Sequence, residues 1–265
     1  RIVVGASPMQ TRLAIISDVH GNAEALTAVL EDIDRQGLHD VACLGDTVGY
    51  GASPSDCVSM IAALGQRLVA HVRGNHEDAL FDPDAFAEMN AVARAAIRWT
   101  RDRLSRHHLD WLRHVPGGAD LGCLQAIHDS PMPAANTYLR DRCGAAVAFQ
   151  GVAREICLVG HTHVPLVFRT SVGTPDAAPK FEEIVAELLH EDEAIPLESG
   201  HRFILNPGSV GQPRDADCRA SYGVLDLERR TFTIRRIEYD IASAQRAVEA
   251  AGLPERISSR LAVGA

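Results

Sequence analysis

Short apolar runs recur along this chain, each leading into metal-competent side chains and four of the five into a glycine as well. Leu13-Ala14-Ile15-Ile16, Val41-Ala42-Cys43-Leu44, Leu68-Val69-Ala70-His71-Val72, Leu121-Gly122-Cys123-Leu124 and Ile156-Cys157-Leu158-Val159 have strand length and are apolar on both faces, as in a buried sheet. Asp18-Val19-His20-Gly21-Asn22 follows the first run, Gly45-Asp46 the second and Gly74-Asn75-His76-Glu77 the third. His128 and Gly160-His161-Thr162-His163 follow the later ones. In open α/β sheets, ligands gather beyond the carboxyl ends of strands, so clusters spread over about 150 residues can converge. Gly21, Gly45, Gly74 and Gly160 are expected to let the chain turn where each strand ends.

Between the first two runs Leu26, Val29, Leu30 and Ile33 mark one face of a helix that stops at Gly37. Ser53-Pro54 predicts the start of a second helix and Gly65 its end; Ala91 to Leu104 is a third. Phe203–Leu205, Tyr222–Leu225 and Thr231–Ile234 follow one another like meander strands, and helices are expected over 241–251 and 254–261. An α/β first part and a β-rich second part imply a two-sheet core with helices outside. We expect one domain over 1–265. The segment from Arg169 to Arg202 carries eight acids against three bases and three prolines, Pro175, Pro179 and Pro196, with a helical pattern around Phe181–Leu189. It reads as an acidic insertion between two paired strands: a solvated loop by preference, a lid or a subunit contact of a homo-oligomer as the sharper alternative.

The donors mix Asp, Asn and His with no thiolate, which suits Mn, Fe, Zn, Co or Ni better than the all-oxygen preference of Mg or Ca. Asp18, His20, Asp46, Asn75, His128, His161 and His163 are too many for one tetrahedral ion. They fit two ions sharing a carboxylate, an arrangement used to hydrolyse phosphate esters. Each residue alone has an ordinary explanation as a cap or turn; their joint occurrence decides for metal. His39, His71, His107, His108, His114, His190 and His201 are read as structural, with His107-His108 at a helix end.

These blocks, in this order, resemble the calcineurin-like metallophosphoesterase superfamily from about Leu13 to Ser209, and Asn206-Pro207-Gly208-Ser209-Val210-Gly211-Gln212-Pro213-Arg214-Asp215 is similar to its small bacterial phosphodiesterase branch. The resemblance implies a four-layer αββα sandwich of two mixed sheets with flanking helices. It implies that Asp18, His20, Asp46 and His163 hold one divalent ion and Asp46, Asn75, His128 and His161 the other, with Asp46 bridging. It further implies hydrolysis by attack of a hydroxide between the ions, with Asn75 stabilising charge on phosphoryl oxygens and His76 as general acid. The phosphoprotein phosphatases of the superfamily place a second acid and then an arginine where this chain has Gly49 and Tyr50, so a protein phosphatase is disfavoured. Asp129, where the branch commonly has glycine, is either a partner of the His128 imidazole or the acid of a turn. Arg73 and Arg214 are candidates to reach the substrate phosphate, with surface ion pairing the alternative.

The formal net charge of −9 argues against a basic groove for long nucleic acid and for a small phosphoester substrate. A phosphodiester is the first expectation, a phosphomonoester the second, and a non-catalytic scaffold of the same fold the rival from another class. Only one of 26 basic residues is a lysine, Lys180, which disfavours P-loop and Schiff-base chemistry. The six cysteines show no Cys-x-x-Cys pair and are read as reduced, in a cytoplasmic protein. No apolar run approaches the ~18 residues of a membrane span. Ile2 to Ala6 is too short for the core of a secretory leader, and Met9 is a candidate native start.

Overall fold

The computed structural model describes residues 9–132, 138–171 and 179–265; Ile2 to Ala6 and, within the acidic insertion, Pro175 and Asp176 lie outside them. The first sheet begins with Arg12–Ile16 (β1), Asp40–Cys43 (β2) and Leu68–His71 (β3), which run parallel because Ala23–Arg35 (α1) and Pro54–Ala63 (α2) cross between them. Asn22 starts α1 by accepting the Ala25 N–H on its side chain at 3.1 Å. Ser53 flanks α2 without a side-chain bond, and Pro54 does the initiating. Ala220–Asp226 (β11) and Thr231–Ile237 (β12) extend the sheet antiparallel, in the order β3-β2-β1-β11-β12.

The second sheet holds Gly118–Asp120 (β4), Leu124–Ile127 (β5), Ile156–Leu158 (β6), Pro165–Ser171 (β7) and His201–Pro207 (β10); β5, β6 and β10 are parallel, and β4 and β7 antiparallel to their neighbours. The strand expected over Leu121–Leu124 begins only at Leu124, and Leu121–Cys123 form a turn between β4 and β5. Gly122 takes φ +82° there and the Asp120 carboxylate accepts its N–H. The helical pattern around Phe181–Leu189 is also corrected. After a single 3-10 turn the chain forms Ile184–Leu188 (β8), because pairing with β7 overrides local preference. Ala194–Pro196 (β9) then edges the first sheet beside β12, so the described part of segment 169–202 adds one strand to each sheet between the paired β7 and β10.

The result is a four-layer αββα sandwich. Leu13 and Ile15 of β1 face inward with Leu44, Val72, Leu158, Phe203, Leu205 and Phe232 between the sheets. The alternate residues Ala14 and Ile16 face outward onto Leu26, Val29 and Ile33 of α1. The second sheet turns Val159, Phe168 and Ile204 onto Arg142–Ala148 (α7). Asn75–Phe81 (α3), Pro83–Glu88 (α4), Ala91–Arg103 (α5) and Arg106–Arg113 (α6) share a further apolar cluster with Ile241–Ala250 (α8) and Glu255–Leu261 (α9). His107 and His108 lie in the first turn of α6, so the C-terminal dipole does not explain them. Among the described residues no helix is long and apolar enough to cross a membrane.

Candidate active site

The strand ends deliver their side chains through backbone that L-residues avoid. Asp18, His20, Asp46, Tyr50, His161 and His163 all have φ between +51° and +66°, six of the nine non-glycine residues in that region among those described. Such conformations persist where surrounding structure enforces them, and here they concentrate at one place. Gly21 and Gly45 also take positive φ, as a turn requires. Gly74 and Gly160 do not. They are needed for closeness, because a Cβ on Gly74 would strike the Asp46 carboxylate, and one on Gly160 would strike Ser17 and Asp18.

Six of the seven predicted donors fall in tight groups, and Asn75 lines the same cavity as Asp46, His161 and His163. The Nε2 of His163 lies 3.2 Å and that of His20 3.7 Å from Asp18 Oδ1. Asp46 stands between two groups, its Oδ2 at 3.6 Å from His20 Nε2 and 3.3 Å from His128 Nε2. Donor atoms of Asp18, His20 and His163 lie within 4.8 Å of one another, as do those of Asp46, His128 and His161. A third such group joins His76 to His20 and Asp46, so proximity alone does not separate His76 from the other donors. Asp18, His20, Asp46, His128 and His163 are buried; Asn75 and His161 are partly exposed toward a cavity of about 440 Å³.

The donor set fits cations. Backbone carbonyls fix three tautomers: Val48 at 3.2 Å from His20 Nδ1, Leu44 at 2.7 Å from His128 Nδ1 and Gln212 at 2.5 Å from His163 Nδ1. A carbonyl only accepts, so each Nδ1 carries a proton and each Nε2 is turned into the cluster, with a free lone pair wherever the ring is neutral. His20 and His163 Nε2 then face each other at 3.1 Å. Two lone pairs at that distance repel unless a cation or proton lies between them. Asp18 Oδ1, Asn75 Oδ1 and His128 Nε2 are buried atoms with no hydrogen-bond partner among the described residues, which native interiors avoid unless something else satisfies them.

Burial pushes His20 well down, and with help from the His128 charge takes His161 down to about 3, so both imidazoles are neutral. Burial would lower His128 too, but Asp46 beside it raises it to about 10, so its Nε2 holds a proton that a cation has to displace. Burial also opposes charge on Asp18 and Asp46, yet their imidazole neighbours, His163 and His128 foremost, hold both below the ordinary carboxylate range.

The groups supporting the donors were less visible in the sequence. Glu77, fully buried, accepts the N–H of Asp46 and of Gly74 on Oε2, each at 2.9 Å, and that of Val48 on Oε1 at 3.2 Å, so one carboxylate ties two strand-end loops together. Ser17 donates to Asp18 Oδ2 at 2.6 Å. Asn206 donates to the Gly160 carbonyl at 2.6 Å and to the Thr162 hydroxyl at 3.0 Å, pinning the loop of His161 and His163. Glu77 and Asn206 sit inside the quoted motifs, and an acid directly after His76 was the available signal.

Among the substrate candidates, Arg214 lines the cavity with Asn75 and His76, and its Nη2 donates to the Gln212 side chain at 2.9 Å. Arg73 is turned elsewhere: its guanidinium pairs with Asp78 and donates to the Val115 carbonyl at 3.2 Å. Asp129 spends Oδ1 on the N–H of Ser130, while the His128 imidazole bonds to Leu44, so Asp129 is the acid of a turn. Tyr138 stacks on His161 with ring centroids 4.2 Å apart. Cys43 and Cys157 are free and buried, and burial pushes both thiols up to about 12.

A family model described as the calcineurin-like phosphoesterase superfamily domain matches residues 11–230. An uncharacterised protein of Methanocaldococcus jannaschii is 34% identical over 261 residues, 97% of this chain and 99% of that protein. The crystal structure of a metallophosphoesterase from Sphaerobacter thermophilus superposes with a TM-score of 0.81 at 38% identity, covering 96% of this chain and 99% of the other. A hypothetical protein from Pyrococcus horikoshii OT3 shares the fold, with a TM-score of 0.72 at 20% identity over 96% of this chain and 98% of its own.

Proposed function

Because the chain belongs to the calcineurin-like phosphoesterase superfamily, we propose that it hydrolyses a small phosphodiester with the help of two divalent cations. The observation that carries this reading is the inward-facing set of Asp18, Asp46 and the histidine Nε2 atoms, in which those of His20 and His163 face each other at 3.1 Å as they would toward a shared cation. Asp18, His20, Asp46 and His163 would hold one ion; Asp46, Asn75, His128 and His161 would hold the other. When bound, such a pair supplies Lewis acidity that polarises a phosphoryl group and acidifies water near neutral pH.

The chain's own groups do the rest. Nδ1–carbonyl bonds keep the imidazoles oriented, so no reorganisation is needed as charge develops. Asn75 presents its amide to a phosphoryl oxygen at the cavity floor, and Arg214 supplies positive charge on the same wall. The Nδ1 of His76 is buried without a partner among the described residues, which leaves Nε2 as the ring nitrogen to donate a proton to the leaving oxygen. An anionic phosphoryl group beside His76 favours its protonated form against the burial that otherwise pushes it down to about 4. Asp78, Glu88 and Asp129 on the cavity wall disfavour a long polyanion.

The test is to strip the protein with chelator, restore Mn, Ni, Co or Zn, and follow a chromogenic diester and monoester in parallel. Metal-restored diester hydrolysis above the monoester rate supports the reading. A higher monoester rate makes it a phosphomonoesterase, and restoration of neither favours a scaffold. The reading places the protein in the cytoplasm; size-exclusion chromatography with light scattering reports whether it forms a homo-oligomer.

A further inference from the structure

His76 has the right place for a proton donor and nothing polar to aim it. Its Nδ1 has no hydrogen-bond partner among the described residues, and the torsion that turns an imidazole about its Cβ–Cγ bond is intrinsically broad. A donor misplaced by about 1 Å can lose two orders of magnitude in rate, so something must hold the ring.

Packing supplies what a carboxylate does not. On one side the backbone of Gly49, at φ +87°, comes so near that any Cβ there would overlap His76 Nδ1. The His20 ring meets His76 edge-on with centroids 4.6 Å apart. The Tyr50 ring lies against His76 at 4.6 Å and against His20 at 4.8 Å. Tyr50 is itself anchored, 6% exposed and packed in the apolar cluster of Val48, Val58, Leu80 and Met89. Its φ of +57° is one that a bulky side chain rarely adopts. A strained aromatic kept against a candidate acid, with a glycine before it that no other residue could replace, is an outlier in need of a function.

We infer that Tyr50 is a positioning residue that, through its ring, fixes the His76 imidazole for proton delivery to the leaving oxygen. The inference rests on the acid role proposed for His76. The ring matters, not the hydroxyl: the contact to His76 is ring to ring.

The experiment compares aryl methyl phosphodiesters that differ only in leaving phenol, p-nitrophenol against unsubstituted phenol, in metal-loaded wild type, Tyr50→Phe, Tyr50→Leu and His76→Ala. A good leaving group needs little protonation and a poor one depends on it. Tyr50→Leu should lose about tenfold or more in kcat on the phenyl ester and less than about twofold on the p-nitrophenyl ester, with KM, metal content and melting temperature held. Tyr50→Phe should match wild type on both. His76→Ala should show the same selectivity, more strongly. Equal losses on the two esters in Tyr50→Leu, or a Tyr50→Phe loss as large as that of Leu, would overturn the inference. If His76→Ala is selective and Tyr50→Leu is not, only the positioning role falls. If His76→Ala is not selective either, the acid role falls with it.

Discussion

Replacing Glu77 by glutamine tests whether a single buried carboxylate holds the two strand-end loops together. Its two oxygens accept three backbone N–H groups from two segments, Gly74 on one and Asp46 and Val48 on the other. The amide of glutamine has one acceptor oxygen. Turned to serve Asp46 and Gly74, it would point an NH₂ at the Val48 N–H, leaving one donor buried and opposed. An unsatisfied buried group costs about 1–3 kcal/mol, and hydrogen bonds to a charged acceptor are worth ~1.5–3 kcal/mol against roughly 1 for neutral ones. Burial and the Asp46 charge raise Glu77 to about 8, so the charged-acceptor part counts in full above that pH, where the comparison is made. The sum is on the order of 2–4 kcal/mol. At about 2–4 °C per kcal/mol for a chain of this size, the melting temperature should fall by roughly 5–15 °C. Calorimetry on metal-loaded protein, with metal content measured alongside, reads both effects. Because the Asp46 loop slackens, Glu77→Gln should also retain less metal at limiting concentration. A melting temperature within about 1 °C of wild type with unchanged metal content would show that Glu77 does not tie the two loops together.

Three further outcomes are expected. His76→Ala should lower turnover by about 10²–10⁴-fold while metal content measured by elemental analysis stays at the wild-type level; loss of metal would make His76 a ligand, as its nearness to His20 and Asp46 allows. Chelation should destabilise the fold and re-addition restore it: a ligand at 100 times its Kd contributes about 2.7 kcal/mol, roughly 5–10 °C in a thermal melt, and coincident melts with and without metal would contradict the proposed centre. Burial pushes His71 down to about 4, below its usual 6.5, so the unfolded chain binds the extra proton between those values. Stability is therefore full above pH 6.5 and lost as pH falls toward 4. His71→Gln should lose less melting temperature over that window than wild type, and parallel pH curves would exclude His71 as a source.

What the sequence made legible was set by local chemistry. The strands β1, β2, β3 and β6 are dense apolar runs, and the donor motifs at their ends are short, ordered and rich in His and Asp, so both fold class and candidate donors could be read. His128, inferred from order alone, arrives within 3.3 Å of Asp46 because β5 lies parallel to β6 in the second sheet. What stayed hidden depends on long-range pairing. β8 and β9 lie at sheet edges, and their short sequences, Ile184–Leu188 and Ala194–Pro196, carry no alternation that marks a strand without its partner. Leu121–Leu124 has strand composition but contains the glycine of a turn. The roles of Glu77 and Tyr50 are invisible in one dimension, since what they hold, the loops of Asp46 and Gly74 and the ring of His76, is known only once the strands converge. The glycines show the same limit: sequence suggests conformational freedom for all four, whereas Gly74 and Gly160 are required by the approach of Asp46 and Asp18.

In the proposed centre two cations sit side by side across Asp46. Anomalous diffraction from crystals grown with manganese tests this. Two peaks about 3.5–4 Å apart are expected, one among Asp18, His20 and His163, the other among Asn75, His128 and His161, with the Asp46 carboxylate between them. A single peak, or none, in protein that hydrolyses phosphoesters would contradict it.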